Sequence, residues 1–494
     1  MNMKRYISIM LIFASLLASC TATSCGGQTA GNDETTTSGD TTPAEETTAE
    51  PDRLDELGKH DFGGKKFTIL DANDHPDWHV NIHGDSLNGD IVNDALYERD
   101  LAIEDRFNVD IDYVQMTMAK TGTDALKKGV LAGDDEFTMC ISTILGGTLG
   151  TIVSDGVLAN LCDNEYLSLD KSWWSYLFKK NLELDGKMYF TTGDISPTMY
   201  QMPHCLYLNT KLAEDYQVDT EALCQLVRDG KWTLDELISR VNGLNQDLNG
   251  DGKMEPTEDF FGLAFNTNSS QNNLDSFVVD AGVTLSNITK DGKGLEIDIM
   301  NEYTLKILDK VKNLYIDKYK FGDQWEYINS AFKDGRALFM YHMTESAQNF
   351  LRDMEDDYMI LPMPKGEVAQ DDYHSYVNAW ADAFVAIPTN ADNELAGVVT
   401  EALAFWSWKY IRPKSYEMTY KLKTARSDNS AEMLDIVFNT LCLDFNVIYD
   451  FGGTYTALRT VTNGKKELAS VLAEKMDKAN AEAADLVNSW IGNN

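Results

Sequence analysis

The densest run of potential ligand atoms in this sequence lies between residues 247 and 258. There Asp247-Leu248-Asn249-Gly250-Asp251-Gly252-Lys253-Met254-Glu255-Pro256-Thr257-Glu258 spells D-x-N-x-D-G-x5-E in full. Side-chain oxygens of Asp247, Asn249 and Asp251, at loop positions 1, 3 and 5, can converge on one point while Gly252 permits the sharp turn. The Lys253 carbonyl serves at position 7, Glu255 at position 9 adds an oxygen directly or through water, and Glu258 is bidentate at position 12. This is oxygen coordination of Ca2+, expected to be structural, since it neutralises carboxylates in a tight turn. The bland alternative is a solvated acidic turn that binds nothing. Spacing announces no other reactive centre. There is no G-x-S-x-G, H-E-x-x-H or P-loop pattern, no CxxC and no Cys/His cluster.

A second residue with chemistry of its own is Cys20. Lys4 and Arg5 precede an apolar run from Ile7 to Ala18, which suits the core of a secretory signal and is short for a membrane span. Leu17-Ala18-Ser19-Cys20 then resembles a bacterial lipobox, in which the thiol accepts a diacylglycerol before cleavage leaves the cysteine first. Residues 1–19 are therefore expected to be a lipoprotein signal peptide. The following residues, to about 58, are expected to be a disordered tether: from Thr21 to Glu50 there are ten Thr, no Lys or Arg and no aromatic. Such a segment has nothing to bury against its chain entropy. No later stretch is long and apolar enough to span a bilayer, so the lipid is the one expected membrane contact.

Composition bounds the rest. Roughly 430 residues after the tether exceed one core, so two domains are expected. Hydrophobic residues at 43% and aromatics at 10% are ample for globular folding. The net charge of −37 repels nucleic acid and anionic membrane surfaces, and it excludes nucleic-acid binding as a function class. Beyond Cys20, cysteines stand at 25, 140, 162, 205, 224 and 442 and are read mostly as free thiols.

The elements that would position a site alternate. Lys66–Leu70 reads as a strand. Ile91–Phe107 reads as a helix with Val92, Ala95, Leu96, Ile103 and Phe107 as its apolar stripe. Val109–Val114 is a strand, Thr123–Leu131 a helix and Glu136–Ser142 a strand. This repetition predicts an α/β fold with a doubly wound sheet and ligand loops beyond the strands' carboxyl ends, after Leu70 and after Ser142. Leu234–Leu244 is expected to be a helix, with Thr233 and Glu236 forming a capping box. Leu468, Val471, Leu472, Met476 and Ala479 fall at helical spacing in the tail.

Five further segments occur in one order along the chain: Asp185–Phe190 (DGKMYF), His204–Leu212 (HCLYLNTKL), Trp232–Leu237 (WTLDEL), Ala331–Met340 (AFKDGRALFM) and Leu361–Gly366 (LPMPKG). Together they resemble the family 1 extracellular solute-binding proteins of ABC importers, the maltose-binding-protein-like group. The resemblance implies two doubly wound α/β lobes, joined by crossover strands near Thr191–Thr198 and Phe339–Glu345 and closing like a clam shell. The amino-terminal lobe would be 59–196 plus 342–408, and the carboxy-terminal lobe 197–341 plus 409–494.

On that reading the protein is no enzyme. It is expected to be a monomer that captures an oligosaccharide or other sugar and delivers it to ABC permease subunits in the membrane. Sugars are held by aromatic faces and by fixed carboxylates and amides. Candidates at loop and crossover positions are Trp78, His79, Asp194, Asn266, Asp275, His342, Glu345, Asn378, Trp380, Asp382 and Tyr449. Trp173, Trp174, Trp406 and Trp408 read rather as helix packing. Two alternatives stay open: a binder of peptide or polyamine, suggested by the excess of acids, and a secreted polysaccharide hydrolase.

Overall fold

A computed structural model describes residues 52–73, 82–144, 148–266, 274–314, 326–377, 383–415, 428–461 and 468–492. Residues 53–56, inside the stretch read as tether, are helical. Asp52 caps a short helix, α1 (Arg53–Glu56), by accepting from the Leu54 N–H. Strand β1 (Lys65–Ala72) follows, and every residue from Phe67 onward in it is buried. Helix α2 (Ile91–Phe107) starts where Asp90 accepts from the Val92 and Asn93 N–H groups, and it ends on Asn108 in the left-handed region. The whole predicted stripe of α2 is buried. Next come β2 (Val109–Met116), α3 (Ala119–Ala132) and β3 (Met139–Ser142).

The first sheet has the order β8-β3-β1-β2, with β1 parallel to both β2 and β3. Its central strands β3 and β1 are buried, β1 from Phe67 onward, whereas the edge strand β2 is half-buried. Strand β8 (Phe384–Ala386) returns from far along the chain and pairs antiparallel with β3, Phe384 opposite Ser142.

The second sheet is mixed and ordered β5-β6-β4-β7. Its strands are β4 (His204–Asn209), β5 (Phe261–Ala264), β6 (Ala337–Met343) and β7 (Tyr358–Leu361), and all four are fully buried. Strand β4 is antiparallel to both neighbours, while β5 and β6 are parallel. Strand β7 falls in the segment assigned from sequence to the amino-terminal lobe, yet it bonds to β4 in the second sheet. The boundary at 342 therefore comes too early, because β7 supplies the edge that β4 needs.

Helix α4 (Leu234–Val241) is capped by Thr233, whose Oγ1 accepts from the Glu236 N–H at 3.4 Å. The Glu236 carboxylate pairs with Arg240 instead of closing the box, and the helix stops at Val241, short of the expected Leu244. Helix α5 (Asn393–Trp406), capped by Asp392, is buried over most of its length and packs on α2. Helix α6 (Asp428–Asn439) packs on β7. The tail breaks its helical stripe at residues 474–475 and resumes as α7 (Met476–Gly492), which buries Trp490 completely. The five described cysteines are free. Among the described residues no helix is long and apolar enough to cross a membrane.

Candidate functional site

Residues 191–203 leave the first sheet and enter the second. Thr191 bridges Val385 of β8, the Thr192 hydroxyl donates to the Ala383 carbonyl at 3.1 Å, and the Ala383 N–H donates to Thr198 Oγ1 at 3.3 Å. These bonds fix the segment at the start of β8, level with the carboxyl end of β3. That is the sheet edge where ligands of open α/β sheets bind. On its inner side the segment lies flat on a tryptophan pair: the Asp194 N–H donates to Trp173 O at 3.0 Å and the Ser175 N–H to Thr192 O at 3.1 Å. A Cβ on Gly193 would stand 2.2 Å from Trp173 O, so only glycine allows this approach.

A cavity of about 710 Å³ opens there. One wall comes from Trp174, Tyr176, Gly193 and Asp194, another from Trp408 and Arg412 just beyond α5, and a third from Asp435, Phe438 and Asn439 of α6. The 191–203 segment is bonded to β8 and to Ala383 just before it, and α6 packs on β7, so one wall is tied to the first sheet and another to the second. Trp408 is half-buried and Tyr176 is 41% exposed, so both rings present surface to the opening.

Asp194 is the predicted site residue that this cavity contains. Only 1% of it is exposed. Its Oδ1 accepts from the Tyr200 phenol at 2.5 Å, and its Oδ2 lies 3.6 Å from Arg412 Nη1. Burial pushes the carboxyl up to about 6, while Arg412 and the Tyr200 hydrogen bond oppose that rise. Arg412 Nη2 donates to Asn439 Oδ1 at 2.6 Å and stands 3.8 Å from Asp435 Oδ1. A carboxylate and a guanidinium are thus held in fixed positions beside aromatic rings. This arrangement can bind hydroxyl groups by hydrogen bonds and apolar ring faces by stacking.

The second crossover runs beside the first. The Thr344 N–H donates to Pro203 O at 3.0 Å and the Glu345 N–H to Gln201 O at 2.9 Å. Glu345 accepts from Asn349 Nδ2 at 3.2 Å, and burial drives its carboxyl up to about 7. It does not line the cavity.

Other predicted residues lie outside the lining of this cavity. His342 is completely buried, its Nδ1 within 2.6 Å of Ser346 Oγ, and burial lowers its pKa to about 3, so the ring stays neutral inside the second sheet. Asn266 is completely buried at the end of β5. The Tyr449 phenol donates to Gly150 O at 2.9 Å and its ring stacks with Phe445 and Phe451, so it fastens the tail to the amino-terminal part. Trp78, His79, Asn378, Trp380, Asp382 and Cys20 lie outside the described residues, as does the side chain of Asp275.

The tryptophans read as packing do pack. Trp173 meets Phe405 edge-on at 5.1 Å, and the Trp174 indole donates to Glu401 Oε2 at 2.9 Å. Trp174 and Trp408 line the cavity as well. Sequence reasoning missed Arg412, Asp435 and Asn439. Arg412, one residue before Pro413 in a helical stretch, carries no spacing signal that points to Asp194.

The acidic loop folds on itself. Asp247 accepts from the Gly250 and Gly252 N–H groups at 2.6 and 2.8 Å, Asn249 from Asp251 N–H at 2.9 Å, and Asp251 from Lys253 N–H at 2.8 Å. Gly250 and Gly252 both take positive φ. Asn249 Nδ2 donates to Glu258, so loop positions 3 and 12 touch. Buried Asp259, unread in the sequence, ties the loop's ends by accepting from the Leu248 and Glu255 N–H groups. Residues 256–258 form a turn, with no exiting helix. The donor set and the turn suit a calcium ion, yet among the described residues no three His, Cys, Asp or Glu side chains converge on one point.

No family model matches the sequence, and no curated protein matches it. Solved structures do. The chain is similar to the cyclic alpha-maltosyl-1,6-maltose binding protein from Arthrobacter globiformis (13% identity, TM-score 0.53, 86% of this chain and 99% of that one). It is similar to the galacto-N-biose/lacto-N-biose I-binding protein of the ABC transporter from Bifidobacterium longum, solved with lacto-N-biose (12%, TM-score 0.52, 87% and 98%). A cyclo/maltodextrin-binding protein complexed with maltotetraose is equally similar (14%, TM-score 0.52, 86% and 97%). At such identities the likeness is one of fold: the chain is built as the two-lobed α/β clam shell of these solute-binding proteins.

Proposed function

We propose that this protein is a solute-binding protein that captures an oligosaccharide and hands it to an ABC permease. The observation that carries this reading is the cavity bounded by the 170–176 and 193–194 segments, Trp408, Arg412 and α6. It combines Trp174, Tyr176, Trp408 and Phe438 with a carboxylate and a guanidinium held by other side chains. The fold's relatives, which bind sugars by their printed names, support the same solute class.

Charge favours a neutral solute over a polyamine or a cationic peptide. Although the chain carries −37, the cavity sets Asp170, Asp194 and Asp435 against Lys171, Lys409 and Arg412. Such a balanced wall does not concentrate cations. The protein is a binder on this reading and returns its solute unaltered. One lobe is built on the first sheet and the other on the second, with residues from β6 through β7 in the second. Cys20 carries the lipid that holds the protein to the outer face of the membrane, and the 247–258 loop holds one structural calcium ion through Asp247, Asn249, Asp251, the Lys253 carbonyl and Glu258.

The test is a thermal-shift screen of neutral oligosaccharides, maltotetraose and lacto-N-biose among them, beside polyamines and short peptides, with product analysis of every hit. Stabilisation by intact oligosaccharides supports the proposal. Stabilisation by polyamines or peptides alone, or release of hydrolysis products, overturns it.

A further inference from the structure

The first charged residues of the folded body reach the cavity wall. Arg53 Nε donates to Glu401 Oε1 at 2.9 Å, and its Nη2 donates to Tyr166 O at 2.9 Å. Glu401 is a completely buried carboxylate in α5. Its other oxygen accepts from the Trp174 indole N–H at 2.9 Å and from the Ser168 N–H at 3.2 Å. Among the described residues Arg53 is the one cation paired with Glu401. The adjacent Asp52 makes the same kind of reach, its Oδ2 lying 2.5 Å from Nζ of Lys409. Both Trp174 and Lys409 line the cavity.

A buried carboxylate is costly unless a cation and hydrogen bonds compensate it, and Arg53, the Ser168 N–H and the Trp174 indole do so here. Held between them, the Glu401 carboxylate is a directional acceptor for the Trp174 indole. The guanidinium fork bonds the carboxylate and a carbonyl at once, which a lysine ammonium at that position would do less well. Trp174 in turn bridges Gly193, the neighbour of Asp194.

We propose that Arg53 is a positioning residue for the solute-binding wall: through Glu401 it fixes the indole of Trp174. The segment joining the tether to the body is then a working part of the cavity rather than a passive leash. This inference rests on the solute-binding reading for its consequence, but the clamp itself is tested without any solute.

The experiment uses the full chain labelled with 15N at its tryptophan indoles, with the Trp174 signal identified as the one missing from Trp174→Phe. Arg53→Ala should shift the Trp174 signal and speed its exchange with solvent, and Arg53→Lys should do so less. The Trp232 signal, whose indole donates to Pro362 O at 3.0 Å, should stay in place and so report that the fold is intact. In parallel, maltotetraose and lacto-N-biose are titrated calorimetrically. For whichever binds, Arg53→Ala should weaken affinity about 5- to 10-fold, and that loss should vanish in the Trp174→Phe background, as for residues acting through one another. An unmoved Trp174 signal, or losses that simply add in the double variant, overturns the proposal. A moved signal in a protein whose wild type binds neither sugar supports the clamp while counting against the solute-binding reading.

Discussion

Tyr200 touches both crossovers at once: its phenol donates to Asp194 Oδ1 at 2.5 Å, and its carbonyl accepts from Thr344 Oγ1 at 2.8 Å. In a clam-shell fold these are the segments about which the lobes must bend. The state of one carboxylate in the cavity is therefore linked to the packing of the hinge.

Tyr200→Phe removes a hydrogen bond that favours ionised Asp194. Losing a hydrogen bond to a charged group costs about 1.5–3 kcal/mol. Urea unfolding should show a loss of that order at pH 8, above the carboxyl's value near 6, and a smaller one at pH 5, where the acid is protonated. An equal loss at both pH values would show that Asp194 is not the partner that matters.

Glu345 gives a second pH signature. Its folded-state value of about 7 exceeds its ordinary 4.5, so the stability it contributes is complete below pH 4.5 and is lost as pH rises through about 7. Glu345→Gln keeps an acceptor for Asn349 and abolishes the titration. The variant should be more stable than wild type by about 2 kcal/mol at pH 8, with the difference shrinking towards pH 5. A variant less stable at pH 8 than at pH 5, relative to wild type, contradicts the burial of this carboxylate.

Calcium should stabilise the folded chain because a ligand bound only by the native state shifts unfolding by mass action. Chelation should lower the melting temperature by a few degrees in wild type and leave an Asp247→Ala, Glu258→Gln double variant unchanged. Equal responses to chelator in the two proteins would remove the metal from the 247–258 loop.

Membrane attachment should depend on one thiol. Cys20→Ser should move the protein from the membrane fraction to the soluble fraction, or leave it unprocessed with its signal peptide, since the acyl chains are the expected anchor. A processed Cys20→Ser protein that still pellets with membranes would end the lipoprotein reading.

What could be read from the sequence is what depends on near neighbours. The stripe of α2 was legible because burial repeats with the helical turn, and Val92, Ala95, Leu96, Ile103 and Phe107 are all inside. Arg99 lies within that same buried face and was not legible: the adjacent Asp100 pairs with it, but the further acceptors that let it be buried, Ile82 O, Ile195 O and Ser407, come from elsewhere in the chain. The order of residues 52–58 was hidden for the same reason: Arg53 is fixed by Glu401, 348 positions away. Asp194 could be placed at the cavity because it lies in a crossover, whereas its partner Arg412 lies in a helical stretch with no spacing signal to mark it. His342 and Tyr449 misled because polar residues at the right station can still turn inward, and their bonds to Ser346 and Gly150 show that they do. Strand β8 was missed because three residues carry no periodicity.

The central claim is that the solute binds in the cavity around Asp194. Its most direct test is calorimetric titration of the tightest-binding oligosaccharide into wild type and Asp194→Ala at pH 7.5, where the carboxyl is ionised. A hydrogen bond to a charged group predicts affinity weaker by about 10- to 100-fold in the variant, while unchanged affinity in a folded variant would contradict the placement of the binding site.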